Sequence, residues 1–250
     1  MSVRPTVASF VAPAPLGPGA VALGEDAAHH ARVRRLAAGD LVTLRDGAGA
    51  VGDGAITRIA KSALDVEVRA VARHPPPPPV HLLAPVGDRD RMLWLAEKCT
   101  ELGLASWRAV RWRRSMSVSP RGEGEAFAGK VRARMAQALA QCEGAWLPAV
   151  LPDADPTDAA RDAVPGARLV LDADGEPLDA LARPVDAITL ALGPEGGLEP
   201  DELAALDAAG FRRARLPGNI LRFETAGAVG VAFARALLER GGTIRAELSS

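Results

Sequence analysis

The chain has 250 residues, 48% hydrophobic and 24% charged, with two cysteines and a formal net charge of −1. That length can bury a core without covalent staples. Cys99 and Cys142, far apart in sequence, exclude a disulfide scaffold and a four-cysteine zinc site. No window reads as a signal peptide or a membrane span, so a soluble cytoplasmic protein with no membrane association is expected. The near-neutral total hides an uneven distribution. Residues 151–207 carry three basic and fourteen acidic side chains, whereas the segments on either side are net basic. Local basic patches, rather than the total, set attraction to phosphate.

In chain order, the first elements are short strands. Asp40 to Arg45 alternates in part and ends at the turn Asp46-Gly47. Val51 to Ile59 has weaker strand character, and Leu64 to Ala70 alternates as a half-buried strand should. Before them, His29 and His30 follow Glu25-Asp26 in a short predicted helix, and Arg32 and Arg35 beyond are candidates for phosphate contact. Several close strands suggest a small barrel. Pro75 to Pro79, five consecutive prolines, can be neither helix nor central strand and form a stiff spacer. The expected organisation is therefore an N-terminal β-domain over 1–73, a linker over 74–79, and a second domain over 80–250.

After the spacer the periods change. Val80 to Pro85 is a short buried-strand candidate, and Arg89 to Leu102 has helical spacing with Gly103 as its stop. Lys130 to Gln141 reads as a helix, Arg168 to Leu171 and Ala187 to Leu192 as buried strands, and Pro200 to Ala209 as a helix. Thr225 to Glu239 is an alanine-rich helix. Alternating strands and helices imply an α/β domain with a largely parallel sheet.

Two segments carry chemistry. In Leu190 to Leu198 a buried strand ends in Gly193-Pro194-Glu195-Gly196-Gly197 and opens toward a helix. In a parallel sheet such a place binds ligands, because glycine lets them approach the backbone; it is also how a plain tight turn looks. It matches neither a Walker loop nor Gly-x-Gly-x-x-Gly, which disfavours a nucleotide-dependent oxidoreductase. In Leu216 to Ala226, Pro217-Gly218 forces a loop and Thr225 is a good helix cap. Arg222 and Glu224 beside that cap are either an ordinary ion pair or functional charges. A further cluster, Arg108, Arg111, Arg113 and Arg114, interleaves with Trp107 and Trp112. These aromatics either stack on unpaired bases or are buried indoles of a strand, the latter favoured for Trp107. No ligand cluster of known spacing exists, so no metal is expected.

Taken together, the chain resembles the RsmE family of 16S rRNA uridine N3-methyltransferases, of the SPOUT class. The resemblance runs through His29-His30, Val33-Arg34-Arg35, Gly39-Asp40, Asp46-Gly47, Lys98 with Glu101-Leu102-Gly103, and Gln141 and Pro148. It continues in Leu192 to Gly197 and in Ile220-Leu221-Arg222 with Glu224-Thr225-Ala226. It implies a knotted C-terminal methyltransferase domain with a mostly parallel sheet, a small PUA-like RNA-binding β-barrel before it, and a homodimer. S-adenosylmethionine is the implied cofactor and 16S rRNA or the small ribosomal subunit the implied partner. The cofactor would lie against Leu171, Leu192, Gly193, Pro194, Glu195, Gly197, Leu216, Gly218, Asn219, Ile220, Leu221 and Thr225. Arg222 and Glu224 would be catalytic, the first stabilising a uridine anion and the second accepting a proton or orienting Arg222. Arg32, Arg35, Arg113 and Arg114 would contact RNA. Other readings are a SPOUT enzyme for another rRNA or tRNA base, and a non-catalytic RNA-binding protein. The chain departs from the family pattern at Val3 to Thr6, at Trp112-Arg113-Arg114 and at Ala140 to Gly144.

Overall fold

The computed structural model describes residues 6–115, 121–178 and 185–248. Val3, Arg4 and Pro5, part of the first departure from the family pattern, therefore lie outside the described residues. The chain forms two compact units: one runs to Pro76 and takes back Ala136–Leu147, and the other holds Pro77–Met135 and the chain from Pro148 onward.

The first unit contains β1 (Ala8–Val11), β2 (Gly19–Leu23), α1 (Glu25–Val33), β3 (Leu41–Arg45), β4 (Ala50–Ile59) and β5 (Leu64–Arg73). They make a five-stranded sheet in the order β1-β3-β4-β5-β2, antiparallel apart from the β1–β3 pair. The alternation read from the sequence is visible in β5, where Leu64, Val66 and Val68 face the core and Glu67 and Arg69 face water. Phe10, Leu16, Val42, Leu44 and Ile56 complete that core with Ala28 and Ala31 of α1. His30 sets its ring edge-on to Phe10 at 5.7 Å. The turn after β3 is held by Asp46, whose carboxylate accepts from the amides of Ala48, Ala50 and Leu16 at 2.8, 2.9 and 3.2 Å. Burial opposes its charge, but those amides and nearby Arg73 outweigh it and hold the carboxyl below its usual range. The returning segment is tied in by Arg45, which donates to the carbonyls of Glu143 and Gly144 at 2.7 and 3.2 Å.

The second unit contains β6 (Val80–Pro85), α2 (Arg89–Glu101), β7 (Ser106–Val110), most of α3 (Glu125–Gln141), β8 (Ala149–Ala154) and α4 (Pro156–Arg161). β9 (Ala167–Pro177), β10 (Ile188–Leu192), α5 (Pro200–Ala208), β11 (Arg212–Arg215) and α6 (Phe223–Leu248) follow. Its six strands run in the order β11-β9-β10-β6-β7-β8, every pair parallel. All five residues of β10 are buried, as its unbroken apolar run requires of a strand covered on both faces. Asp88 caps α2 by accepting from the amides of Asp90 and Arg91. Gly103, at φ +71°, ends the helix region as its position predicted. Trp107 and Trp112 are both buried, so neither is open to stack on a base. Among the described residues no helix is long and apolar enough to cross a membrane.

α6 packs on α2, β6 and β10 through a glycine-lined face. A Cβ on Gly227 would lie 2.8 Å from Leu95 Cδ1 and 2.9 Å from Leu192 Cδ1; one on Gly230 would lie 2.7 Å from Leu171 Cδ1. Each glycine costs the helix about 1 kcal/mol relative to alanine, and the close approach is what it permits. Gly227→Val should therefore destabilise the fold by about 2–3 kcal/mol in urea unfolding, the ordinary cost of overpacking. An unchanged midpoint would contradict this packing.

Candidate functional site

Parallel sheets present ligand sites beyond the carboxyl ends of their strands. Here β11, β9 and β10 are neighbours, so the segments leaving their C-terminal ends meet on one side. At the β9–β11 pair the register jumps: Arg213 pairs with Val170 and the next residue, Ala214, with Glu176. Leu171 to Gly175 thus leave the β9–β11 ladder, while Leu171 still pairs with Leu192 of β10. Gly175 suits this bend, because a Cβ there would sit 2.6 Å from the backbone nitrogen of Ala214. Asp172 steadies the arc, accepting from the Asp174 amide at 2.9 Å and lying 3.6 Å from Arg213 Nε.

The loop after β10 folds back on itself. The Gly197 amide donates to the Pro194 carbonyl at 2.9 Å, and Gly197 itself takes φ +76°. That left-handed conformation is where glycine is needed. The segment after β11 turns at Gly218, φ +97°, and leaves Ile220 92% exposed before α6 begins.

These segments enclose a cavity of about 630 Å³ with Leu171, Leu192, Leu198, Leu203, Leu216, Ile220 and Leu221 among its apolar lining. Asp172, Asp174, Glu195, Arg213 and Asn219 supply polar groups. Every residue assigned to a cofactor from the sequence lines this cavity except Thr225, whose neighbour Ala226 does. Three segments, beginning at Leu171, Leu192 and Arg213, are thereby brought to one cavity.

The two charges at the start of α6 part company. Arg222 is exposed and makes no ion pair among the described residues. Glu224 turns inward, its side chain 13% exposed, with Oε1 3.9 Å from Arg91 Nε and Oε2 buried without a hydrogen-bond partner. Arg91 also donates to Glu195 Oε1 at 3.3 Å, so one guanidinium spans the glycine loop and the first turn of α6. Sequence reading missed Arg91. Its only mark was a place in the first turn of the helix after β6, the strand beside β10. Next to it the Phe223 ring packs over Gly87.

The other arginines singled out from the sequence are disposed differently. Arg32 donates to the carbonyls of Ala60 and Lys61 at 2.8 and 2.7 Å. Arg35, at φ +56°, is exposed just past the end of α1. Arg113 pairs with Asp201 at 2.5 Å, and Arg114 with Glu199 at 2.8 Å.

Known proteins can be set beside this geometry. A family model described as an RNA methyltransferase domain matches residues 74–235, and one described as an RNA methyltransferase PUA domain matches residues 23–69. A ribosomal RNA small subunit methyltransferase E of Mycobacterium bovis is 30% identical over 232 residues, covering 89% of this chain and 88% of its own. One from Mycobacterium tuberculosis matches to the same extent. Among solved structures, the Neisseria gonorrhoeae ribosomal RNA small subunit methyltransferase E bound to S-adenosyl methionine superposes with a TM-score of 0.83 at 24% identity. It covers 92% of this chain and 97% of its own. A putative methyltransferase from Legionella pneumophila, in complex with the same cofactor, gives 0.82 at 23% identity, covering 94% of this chain and 98% of its own.

Arg91→Met should lower stability by about 1 kcal/mol, since the Arg91 pairs are partly solvated, and Arg91→Lys should recover most of that loss. Urea unfolding checks it; equal loss in both variants would mean that the charge is not what matters.

Proposed function

We infer the reaction from the family to which this chain belongs, the RNA methyltransferases that include the ribosomal RNA small subunit methyltransferases E. The chain is an RNA methyltransferase with a PUA-like N-terminal unit. The reading proposed is transfer of a methyl group from S-adenosylmethionine to N3 of a uridine in 16S rRNA, in the cytoplasm. The observation that carries it is the cavity at the ends of β9, β10 and β11, where the residues expected around the cofactor converge. Its make-up suits that molecule. Leucines and Ile220 offer apolar surface to a flat purine, while glycine-rich backbone and a few polar groups offer hydrogen bonds for the sugar and amino-acid parts. The strand order β11-β9-β10-β6-β7-β8 supports the trefoil threading that the family resemblance implies.

When bound, S-adenosylmethionine supplies an electrophilic methyl on a sulfonium. What the protein must supply is orientation and a place for the uridine proton. Glu224 Oε2, buried and without a partner, is an acceptor for the N3 proton. Arg91 holds the other oxygen of that carboxylate and keeps it turned inward. Arg222, exposed next to the lining residue Leu221 and free of ion pairs among the described residues, is the cation proposed to stabilise the negative charge left on the uracil. Arg35 is the phosphate-contact candidate whose side chain has no intramolecular partner among the described residues.

A homodimer belongs to the same reading. α2 and α6, packed on one another, leave Trp94 43% and Phe233 36% exposed, apolar surface suited to a second copy.

The test is incubation with labelled S-adenosylmethionine and small subunits lacking the modification, followed by mapping of the base. Label on N3 of one 16S uridine is expected; label on another base, or on tRNA alone, would overturn the target. Arg222→Ala should lower kcat about 100-fold or more, as loss of a charge-stabilising donor does, with cofactor affinity within about twofold. Equal loss of both would make Arg222 structural.

A further inference from the structure

Arg114 reaches the same loop from behind. Its Nε and Nη2 donate to the two carboxylate oxygens of Glu199 at 2.8 and 3.0 Å, and its Nη1 donates to the Gly196 carbonyl at 3.0 Å. The backbone fits as closely, for a Cβ on Gly196 would lie 3.1 Å from Arg114 Cβ. The preceding residue joins in: the Arg113 amide donates to Glu202 Oε1 at 2.7 Å, and Glu202 Oε2 accepts from the Glu199 amide at 2.8 Å. Glu202 is only 4% exposed, yet both of its oxygens are used. The segment after β7 is thus buckled to the start of α5 and to the glycine loop that leads into it.

We propose that Arg114 is a positioning residue for the methyl-donor loop Gly193 to Leu198, fixing its shape before the cofactor arrives. This rests on the reading of the cavity as the S-adenosylmethionine site. The mechanism lies in one peptide plane. In a trans peptide the C=O and N–H point in opposite directions. Arg114 holds the carbonyl of the Gly196–Gly197 peptide, and the Pro194 carbonyl holds its amide at 2.9 Å. Gripped on both sides, that plane cannot flip, and the loop atoms that line the cavity at Pro194, Glu195 and Gly197 keep their places. A glycine-rich loop has the most conformational freedom to lose on binding, so holding it beforehand favours affinity. Glu199 gives the clamp a firm anchor. It is the N-cap of α5 within a capping box, where a carboxylate is favourable at the helix N-terminus.

The same geometry argues against a role on RNA phosphate. The Arg114 charge is met by Glu199 in a two-pronged pair, and its third hydrogen-bonding nitrogen is also engaged. Lysine can replace arginine at a phosphate contact, but it cannot reproduce the planar fork that grips a carboxylate and a carbonyl together.

The test uses the full chain with Arg114→Lys, Arg114→Met, Glu199→Gln, and Arg114→Met combined with Glu199→Gln. S-adenosylmethionine affinity is read by calorimetry, kcat and KM by methylation of small subunits, and RNA affinity by a salt series. Each single variant should weaken cofactor binding and raise its KM about tenfold, a scale set by charge-assisted hydrogen bonds. Saturated kcat and RNA affinity should stay within about twofold, and the double variant should be no weaker than Arg114→Met alone, because with that side chain gone Glu199 has already lost its partner in the clamp. Loss of RNA affinity with normal cofactor binding, restored by lysine, would overturn the proposal in favour of a phosphate contact. A lower melting temperature with normal cofactor affinity would overturn it in favour of packing alone. Wild-type protein without affinity for S-adenosylmethionine would overturn the reading of the cavity itself, an outcome distinct from variants that bind like wild type.

Discussion

At Gly227 and Gly230 the backbone of α6 comes within a missing side chain's width of Leu95, Leu192 and Leu171. That contact sets the depth at which the helix lies on the sheet, and therefore where its first turn ends up. With α6 drawn in, Phe223 rests against Gly87 and Glu224 is carried below the surface, within reach of Arg91. The same depth brings the start of α6 beside the segments leaving β9, β10 and β11, closing the cavity. A buried carboxylate oxygen without a partner is costly in an ordinary core. Here Arg91 is paired with the other oxygen, and the carboxylate stays turned inward between Phe223 and Thr225 at the start of α6.

Charge is organised by the fold in a way that composition conceals. The acidic stretch 151–207 and the arginine cluster 108–114 look like separate surfaces in sequence. In space they meet: Arg108 pairs with Asp162, Arg111 with Asp155, Arg113 with Asp201 and Arg114 with Glu199. These acids flank α4, as Asp155 and Asp162 do, or stand at the start of α5, as Glu199 and Asp201 do. Much of the cluster's charge is therefore spent within the unit. Arg222 and Arg35, by contrast, are exposed and make no ion pair among the described residues.

Much of this was legible beforehand. The unbroken apolar runs of β6 and β10, the alternation of β5 and the helical spacing of α2 each reflect a local rule, and each element appears within a few residues of its expected bounds. The cavity was legible because glycine and proline mark places where backbone must turn or be approached. What escaped notice depends on distant partners. The sequence puts the start of α3 at Lys130, because Gly129 breaks the apolar spacing, whereas the helix begins at Glu125. β8 is interrupted by Pro152 and Asp153, and β11 is short and polar, Arg212 to Arg215 being strand only because β9 pairs with it. The return of Ala136–Leu147 to the first unit has no compositional mark at all. Arg91 and Arg114 illustrate the same limit: an arginine's type suggests phosphate, whereas its role follows from which carboxylates the fold brings to it.

The most direct measurement of whether α6 and the three strand ends build a cofactor cavity is amide hydrogen exchange with and without S-adenosylmethionine. Protection should appear together in Leu171 to Asp174, Gly193 to Leu198 and Leu216 to Ala226, with the N-terminal β-unit unchanged. Protection confined to one of these segments, or centred in the N-terminal unit, would contradict the site described.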